Sequence, residues 1–250
     1  MKVMLFDGSM GELLCAVYLV YYGNLPPNLL RRDEYCHNLL DEPVDVLYSE
    51  ESFTKVRDAM VKRFDRETLD TIAFCLANSS REAPTVTLRY IVACFANKAK
   101  KGDFQDEAIM KAERLSRQAS LESHRFTGFV RFSEKGGVYV SKISPDHDIL
   151  EFLADHFTDR YSDQDFLIYD EKRKKALLYH DGETTIRTGV ELDPRYIATD
   201  SFTEFWKEYY ENIAIKERAN PRQQKRSMPV RYWKNLVETG ELPEDNGKQK

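Results

Sequence analysis

The spacing of apolar residues changes near residue 124, and this change limits the folds that the chain can adopt. Before this point, apolar residues such as Leu14 and Tyr18 recur every three or four positions, which is the period of an amphipathic helix. After it, residues 126–133 and 138–143 alternate between apolar and polar, as half-buried strands do. We therefore predict an α+β protein with a mostly helical N-terminal half, and with a small antiparallel sheet and helices in the C-terminal half.

The same change in spacing divides the chain into three predicted regions. These are a mainly helical lobe over residues 1–123, an α+β lobe over 124–240 that ends in a basic helix, and a polar tail over 241–250. The elements predicted around the change are a long helix at 106–123, strands at 126–133 and 138–143, a helix opened by Ser144-Pro145-Asp146, and strands at 166–169 and 176–179. The order strand, strand, helix, strand, strand favours an antiparallel layer over a doubly wound parallel sheet.

Composition and cysteine spacing argue against several classes of protein. Apolar residues make up 42% of the 250 residues, which is enough for a substantial core, and 32% are charged. No apolar run reaches the roughly 18 to 20 residues that a membrane-spanning helix needs. The four cysteines are far apart, which argues against a disulfide framework and a zinc knuckle. We therefore expect a soluble, cytoplasmic protein that contacts no membrane and holds no metal or cofactor of its own.

Charge is distributed unevenly along the chain. The formal net charge is -5, but residues 216–234 contain seven Lys or Arg and one Glu, so this stretch carries +6 and the rest of the chain -11. A basic block on an acidic protein is a candidate docking surface for a polyanion or an acidic partner. The block is equally compatible with the solvated face of a helix.

The residue types within and near this basic block favour nucleic acid. Arg and Lys can neutralise phosphates, Asn and Gln can bond base edges or phosphates, and Tyr or Trp can stack on an unpaired base. The candidate nucleic-acid-binding residues are Arg125, Arg131, Arg218, Asn220, Arg222, Gln224, Arg226, Arg231, Tyr232, Trp233 and Lys234. In the alternative, Tyr232 or Trp233 anchors a C-terminal helix to the core, while the basic side chains pair with acidic residues of the first half.

Histidine and aspartate residues near the centre of the chain are candidates for acid–base chemistry. The sequence contains no Gly-rich phosphate loop, nucleophile elbow or zinc-protease helix. Four of the five histidines fall between residues 124 and 180, and their spacing matches no common metal site. Because His titrates near neutrality, these histidines and nearby carboxylates can act as general acids and bases. The candidate catalytic residues are His124, His156, Asp146, Asp148 and Asp170.

The turn Asp7-Gly8-Ser9 precedes the first predicted helix. Ser9 and Glu12 have the spacing of a capping box, in which each side chain bonds a backbone N–H of the first turn. The free N–H groups at such a helix start can also hold a phosphate, which makes Gly8 and Ser9 candidate phosphate-binding residues. The alternative is a plain helix cap.

Three blocks of the sequence resemble a bacterial family of DNA metabolism proteins. The blocks are Phe6-Asp7-Gly8-Ser9; a stretch from Glu122 to Arg173 that includes His124-Arg125-Phe126-x-Gly128-Phe129-Val130-Arg131-Phe132 and Pro145-Asp146-x-Asp148; and a stretch from Ile213 to Lys234 that includes Asn220-Pro221-Arg222-x-Gln224 and Met228-Pro229-x-Arg231-Tyr232-Trp233-Lys234. Genes of this family usually accompany that of a radical SAM protein, and some members are fused to a uracil-DNA glycosylase domain. The sequence departs from the family before His156, where Glu151-Phe152 and Ala154-Asp155 replace a more apolar run that contains proline.

The resemblance implies a role in DNA metabolism together with a radical SAM partner, which holds the iron–sulfur cluster and SAM. We therefore expect a DNA metabolism or repair accessory protein that binds DNA and presents it to this partner. One alternative is a stand-alone hydrolase or glycosylase that processes nucleobases or DNA with the His and Asp residues. Another is a protein–protein adaptor that makes no DNA contact.

Overall fold

A computed structural model describes four stretches of the chain, residues 2–37, 39–96, 106–193 and 221–236. The chain divides into two compact units, Met1–Leu121 (unit 1) and Glu122–Lys250 (unit 2). The fold is α+β, which confirms the predicted fold class: the N-terminal half is mainly helical, and the C-terminal half has a sheet with helices. Within the described stretches, no helix has the length and apolar character needed to cross a bilayer. The predicted polar tail lies outside the described residues.

Unit 1 consists of a small parallel sheet surrounded by helices. Its elements are β1 (Lys2–Phe6), α1 (Met10–Tyr22), β2 (Leu29–Arg31), a 3-10 helix (Arg32–Glu34), β3 (Glu42–Asp45), α2 (Glu50–Arg63), α3 (Arg66–Ala77), α4 (Ala83–Phe95) and the first part of α5 (Glu107–Phe129). The strand order is β2-β1-β3, and both pairs are parallel. Residues 3–6 of the central strand are buried because the strand reads as a continuous apolar run.

Unit 2 is built on a five-stranded sheet. In the described stretches, its elements after the end of α5 are β4 (Ser133–Lys135), β5 (Val138–Ile143), a 3-10 helix (Leu150–Leu153), α6 (Ala154–Arg160), β6 (Phe166–Asp170), β7 (Lys175–His180), β8 (Glu183–Thr188), α7 (Pro221–Ser227) and a second 3-10 helix (Val230–Asn235). The strand order is β4-β5-β6-β7-β8. Side chains of β6, β7 and the end of α5 form its core, with Phe126, Phe166 and Leu177 among the buried residues.

The sheet of unit 2 is mixed, so the prediction of an antiparallel sheet is wrong for one strand pair. β5 and β6 are parallel, whereas the other three pairs are antiparallel. The chain between β5 and β6 contains a 3-10 helix and α6, and a crossover of this length returns the chain to the end of the sheet where β5 began. The order of elements up to β7 was therefore predicted correctly, but the direction of β6 and the strand β8 were not.

The strand predicted at residues 126–133 is also wrong for most of its length. Helix α5 continues to Phe129, and only the last predicted residue, Ser133, belongs to β4. Phe126 and Val130 are buried and lie four positions apart, so they satisfy the period of a helix as well as that of a strand. In the structure both residues pack in the core of unit 2, Phe126 from the last turns of α5 and Val130 just after the helix ends.

Gly8, in the turn before α1, has a backbone conformation that disfavours a side chain. Its φ is +96°, which L-residues rarely adopt, and a Cβ atom there would lie 2.9 Å from Nη1 of Arg31. We predict that Gly8→Ala lowers the free energy of unfolding by about 1 to 3 kcal/mol. Urea denaturation measures this. Gly128→Ala is the control: no atom lies within 4 Å of a Cβ there, so we expect no loss of stability.

Candidate nucleic-acid interface

The side chain of Glu122, near the end of α5, holds two distant segments of unit 2. It is 3% exposed. Its carboxylate accepts the backbone N–H groups of Asp146, at 2.8 Å, and His147, at 2.7 Å, and the hydroxyl of Tyr232 also donates to it. These three donors satisfy a buried charge that is otherwise costly. We call Glu122, Asp146, His147 and Tyr232 the Glu122 anchor.

The two aromatic residues of the basic block are part of the packed structure of unit 2. The ring of Tyr232 is 3% exposed and packs edge-on against Phe126, with 5.0 Å between ring centroids. Trp233 is 9% exposed, and its indole N–H donates to the carbonyl of Met228 at 2.9 Å. In this conformation neither ring has an open face on which an unpaired base can stack. The arrangement matches the alternative in which these residues anchor the C-terminal segment to the core.

The basic side chains of residues 221–236 fall into two groups. Arg231 and Lys234 are paired with carboxylates of their own unit: Nε of Arg231 lies 2.6 Å from Oδ2 of Asp146, and Nζ of Lys234 lies 2.9 Å from Oε2 of Glu171. The second group, on the short helix α7, is Arg222, Lys225 and Arg226. All three are exposed, and none forms an ion pair with another residue of the described stretches. In the alternative stated from the sequence, the basic residues pair with acidic residues of the first half. Among the described residues of this block, only Arg231 and Lys234 are paired with acids, and their partners, Asp146 and Glu171, belong to unit 2.

Two lysines that are distant in sequence join the first group. Nζ of Lys172 lies 2.9 Å from Oδ1 of Asp146, and Nζ of Lys142 lies 3.4 Å from Oε1 of Glu171. The hydroxyl of Ser144 also donates to Glu171, at 2.9 Å. Four cations therefore surround two carboxylates. We call this group the cation–carboxylate cluster; its members are Lys142, Asp146, Glu171, Lys172, Arg231 and Lys234.

The cations of this cluster keep both carboxylates ionised. Hydrogen bonds from Lys234 and Ser144 lower the pKa of Glu171 to about 2, and they outweigh its partial burial. Burial opposes ionisation of Asp146, but the hydrogen bond and charge of Lys172 and the charge of Arg231 hold the pKa of Asp146 below its ordinary value. The cluster therefore carries a net positive charge at neutral pH.

The other predicted nucleic-acid-binding residues are placed as follows. Arg131 follows α5, and its Nη1 donates to the carbonyl of Gly128 at 2.7 Å, so it bonds the carbonyls at the C-terminal end of that helix. Arg125 is half-buried on α5. Gln224 belongs to α7, but the structure describes only its backbone. Arg218 and Asn220 lie outside the described residues.

The structure does not bring the predicted catalytic histidines into contact with the predicted aspartates. His124 is exposed on α5, and His156 is exposed on α6, where its ring lies edge-on to Phe157. Among the described residues, no hydrogen bond or ion pair joins either histidine to Asp146, Asp148 or Asp170. Acid–base catalysis by this set stays a prediction, and its members take separate places in unit 2.

Each of the three aspartates has a basic partner of its own. Asp146 pairs with Lys172 and Arg231, Asp148 lies 3.2 Å from Nζ of Lys175, and Asp170 lies 2.8 Å from Nη1 of Arg173. Asp170 is fully buried, and burial raises its pKa although Arg173 opposes this. Its Oδ1 also accepts the N–H of Lys172, which fixes the turn between β6 and β7. These contacts give the aspartates evident structural roles.

Glu122 and His147 are not among the site residues predicted from the sequence. A signal for Glu122 does exist, since it continues the buried stripe of α5 formed by Leu115, Ala119 and Phe126. A charged residue on an apolar stripe requires a partner in the core. His147 is half-buried, and burial lowers its pKa against the opposing charges of Glu122 and Asp146.

The turn Asp7-Gly8-Ser9 in unit 1 is a helix cap. Oγ of Ser9 accepts the N–H of Glu12 at 3.1 Å, Asp7 accepts the N–H of Ser9, and Glu12 accepts the N–H of Asp7. Burial opposes ionisation of Asp7, but the bonds from Ser9 hold its pKa below the ordinary value. The carboxylates of Asp7 and Glu12 lie beside the turn together with the guanidinium groups of Arg31 and Arg32. The hydrogen bonds match the alternative of a helix cap, and phosphate binding by Gly8 and Ser9 stays a prediction. Elsewhere in the described stretches, no group of three His, Cys, Asp or Glu residues is placed to hold a metal ion.

We predict that Tyr232→Phe lowers the free energy of unfolding by about 1.5 to 3 kcal/mol, because it removes a hydrogen bond to a buried charge. Chemical denaturation of the two proteins measures the difference. Tyr139→Phe is the matched control, since the Tyr139 hydroxyl has no hydrogen-bond partner among the described residues; a change below about 0.5 kcal/mol is expected there. Equal losses in the two variants would contradict the role of the Glu122 anchor.

The lowered pKa of Glu171 predicts a specific acid sensitivity. The folded pKa of about 2 lies below the ordinary value of 4.5, so this carboxylate contributes stability above pH 4.5 that is lost as the pH falls toward 2. The free energy of unfolding should therefore fall less between pH 6 and about pH 3 in Glu171→Gln than in the unmodified protein. Glu183→Gln, which changes an exposed residue of β8, should behave like the unmodified protein.

Comparison with known proteins identifies a family for the part of the chain that contains the Glu122 anchor and the cation–carboxylate cluster. No curated protein and no solved structure matches the chain. The sequence model of a family described as a domain of unknown function, DUF4130, matches residues 81–238, which is more than half of the chain and includes the Glu122 anchor and the basic block. The chain therefore belongs to the DUF4130 family.

Proposed function

We propose that this chain is an accessory protein of DNA metabolism that binds DNA through the exposed cations of residues 221–236. The proposal rests on the exposure of Arg222, Lys225 and Arg226 and on their lack of ion-pair partners within the described stretches. These side chains are exposed and have no carboxylate partner among the described residues, whereas the neighbouring Tyr232 and Trp233 are buried. The segment is thus fixed to unit 2 by its aromatic residues and presents its cations to solvent.

The charge distribution supports contact with DNA at this segment. Residues 216–234 carry +6, whereas the rest of the chain carries -11. A phosphodiester chain is attracted to exposed Lys and Arg, and each neutralised phosphate releases a counterion. The acidic remainder has a net repulsion for the same polyanion, so binding is favoured where cations are exposed. This mode positions the protein on DNA without reading base sequence, because the described cations are suited to phosphate contacts.

The proposed partner is a radical SAM protein, as the family resemblance implies. In this division of labour the partner holds the iron–sulfur cluster and SAM, and the present chain supplies DNA contacts. Co-purification of the two proteins in the presence of nuclease tests the association. A pure adaptor predicts that the partner is retained while the chain alone binds no DNA.

The contacts of the described residues support the accessory role better than a stand-alone hydrolase or glycosylase. An acid–base enzyme must bring its groups to one substrate, and a base-processing enzyme must also enclose the flipped base in a pocket. His124 and His156 are exposed on two different helices, and the three candidate aspartates are paired with basic residues. DNA binding requires only the exposed cations.

The salt dependence of DNA binding tests the proposal. We predict that the triple variant Arg222→Ala/Lys225→Ala/Arg226→Ala reduces the slope of log affinity against log salt by about 2 to 3 units, because it removes up to three phosphate contacts. Fluorescence anisotropy with labelled single-stranded and duplex oligonucleotides, at a series of salt concentrations, gives this slope. Affinity should fall on every DNA sequence to a similar extent.

The matched control removes three exposed cations from unit 1. Lys55→Ala/Arg57→Ala/Lys62→Ala changes the net charge by the same amount on helix α2. Its slope should equal that of the unmodified protein. The DNA-binding proposal is wrong if both triple variants lose the same slope, or if the α7 variant binds DNA as well as the unmodified protein.

A further inference from the structure

The cation–carboxylate cluster has the composition of a second phosphate contact. We infer that DNA bound by α7 also contacts Lys142, Lys172, Arg231 and Lys234, and that Glu171 limits the affinity of this contact. The inference rests on the proposed DNA binding and extends its surface to residues of the sheet.

The geometry joins two separate parts of unit 2 at one surface. Lys142 belongs to β5 and Lys172 to the turn between β6 and β7, whereas Arg231 and Lys234 belong to the C-terminal 3-10 helix. Each carboxylate bridges one cation of the sheet and one of the C-terminal segment, as Glu171 does between Lys142 and Lys234. With four cations and two carboxylates, the cluster has a net charge of about +2 at neutral pH.

Three of the four cations of the cluster remain accessible to a ligand although they are paired, and the fourth, Lys142, is 27% exposed. The side chains of Arg231 and Lys234 are 56% and 55% exposed, and that of Lys172 is 44% exposed. Lys has three N–H donors and Arg has five, so phosphate oxygens can share these cations with the carboxylates. The guanidinium of Arg231 has five N–H donors, of which the one on Nε faces Asp146. Phosphate contacts on the solvent side are therefore compatible with the fold.

The cluster and α7 are close enough along the chain to serve one stretch of DNA. Five residue steps separate Arg226 from Arg231, and a chain of that length spans at most about 18 Å. Successive phosphates of one strand recur every few ångström along the duplex axis. Both groups of cations can thus meet neighbouring phosphates.

The proposed role of Glu171 predicts that DNA affinity rises, rather than falls, when this residue is replaced. A carboxylate inside a phosphate contact repels the DNA, so its removal should strengthen binding. If Glu171 only supported the fold, its replacement would weaken binding or leave it unchanged. Gln keeps the size and one acceptor oxygen of Glu, so the hydroxyl of Ser144 retains a partner.

Three proteins test the inference by anisotropy with a DNA duplex at about 50 mM salt. Glu171→Gln should bind about threefold more tightly, with a slope steeper by about one unit. Lys142→Ala/Lys172→Ala should bind more weakly, with a slope shallower by about two units. Glu51→Gln, the control, removes a carboxylate from another exposed Glu–Lys pair, on α2 of unit 1, and should leave binding unchanged. The melting temperature of each protein is measured beside it.

The outcomes separate this inference from the proposed function. If the α7 triple variant loses the salt slope while Glu171→Gln and Lys142→Ala/Lys172→Ala both bind like the unmodified protein, the second contact is refuted and DNA binding stands. An equal gain in Glu171→Gln and Glu51→Gln also refutes it, because only total charge then matters. If the unmodified protein and every variant bind DNA with the same salt slope, DNA binding by the basic segment is itself refuted. If Glu171→Gln has a lowered melting temperature, the lysine double variant decides: weaker binding with a shallower slope supports the second contact, and unchanged binding refutes it.

Discussion

The buried carboxylate of Glu122 is the contact on which the arrangement of unit 2 depends. A charge that is 3% exposed destabilises the fold unless donors surround it. The donors come from the loop after β5 and from Tyr232, more than a hundred residues along the chain. If either segment moved away, the buried carboxylate of Glu122 would lose hydrogen-bond donors. Helix α5 therefore holds both segments in place.

This anchor explains how a basic segment can act as a defined surface rather than as a loose tail. With Tyr232 and Trp233 held in the core, the 3-10 helix brings Arg231 to Asp146 and Lys234 to Glu171. Side chains that are fixed before binding lose less conformational freedom when a ligand arrives. The aromatic residues that the sequence suggested as stacking platforms thus have a different role in the structure, which is to hold Arg231 and Lys234 at the surface of unit 2.

The sequence was sufficient to predict the α+β class, the helical first half and the hairpin around residues 136–137. It did not distinguish a helix from a strand at Phe126 and Val130, whose spacing fits both periods. It also could not decide between stacking and anchoring for Tyr232, since an aromatic ring beside arginine is compatible with either. The partners of Glu122, Lys142 and Lys172 are set by long-range contacts, which no local pattern encodes.

Chemical footprinting of lysines tests the central claim, that DNA meets the face formed by the C-terminal segment and the β6–β7 turn. The protein is acetylated briefly with and without a DNA duplex, and each modified lysine is quantified by mass spectrometry. We predict that DNA protects Lys172, Lys225 and Lys234, while Lys55 and Lys62 on α2 stay equally reactive. Protection of the α2 lysines to the same extent, or no protection of the first three, would contradict the account.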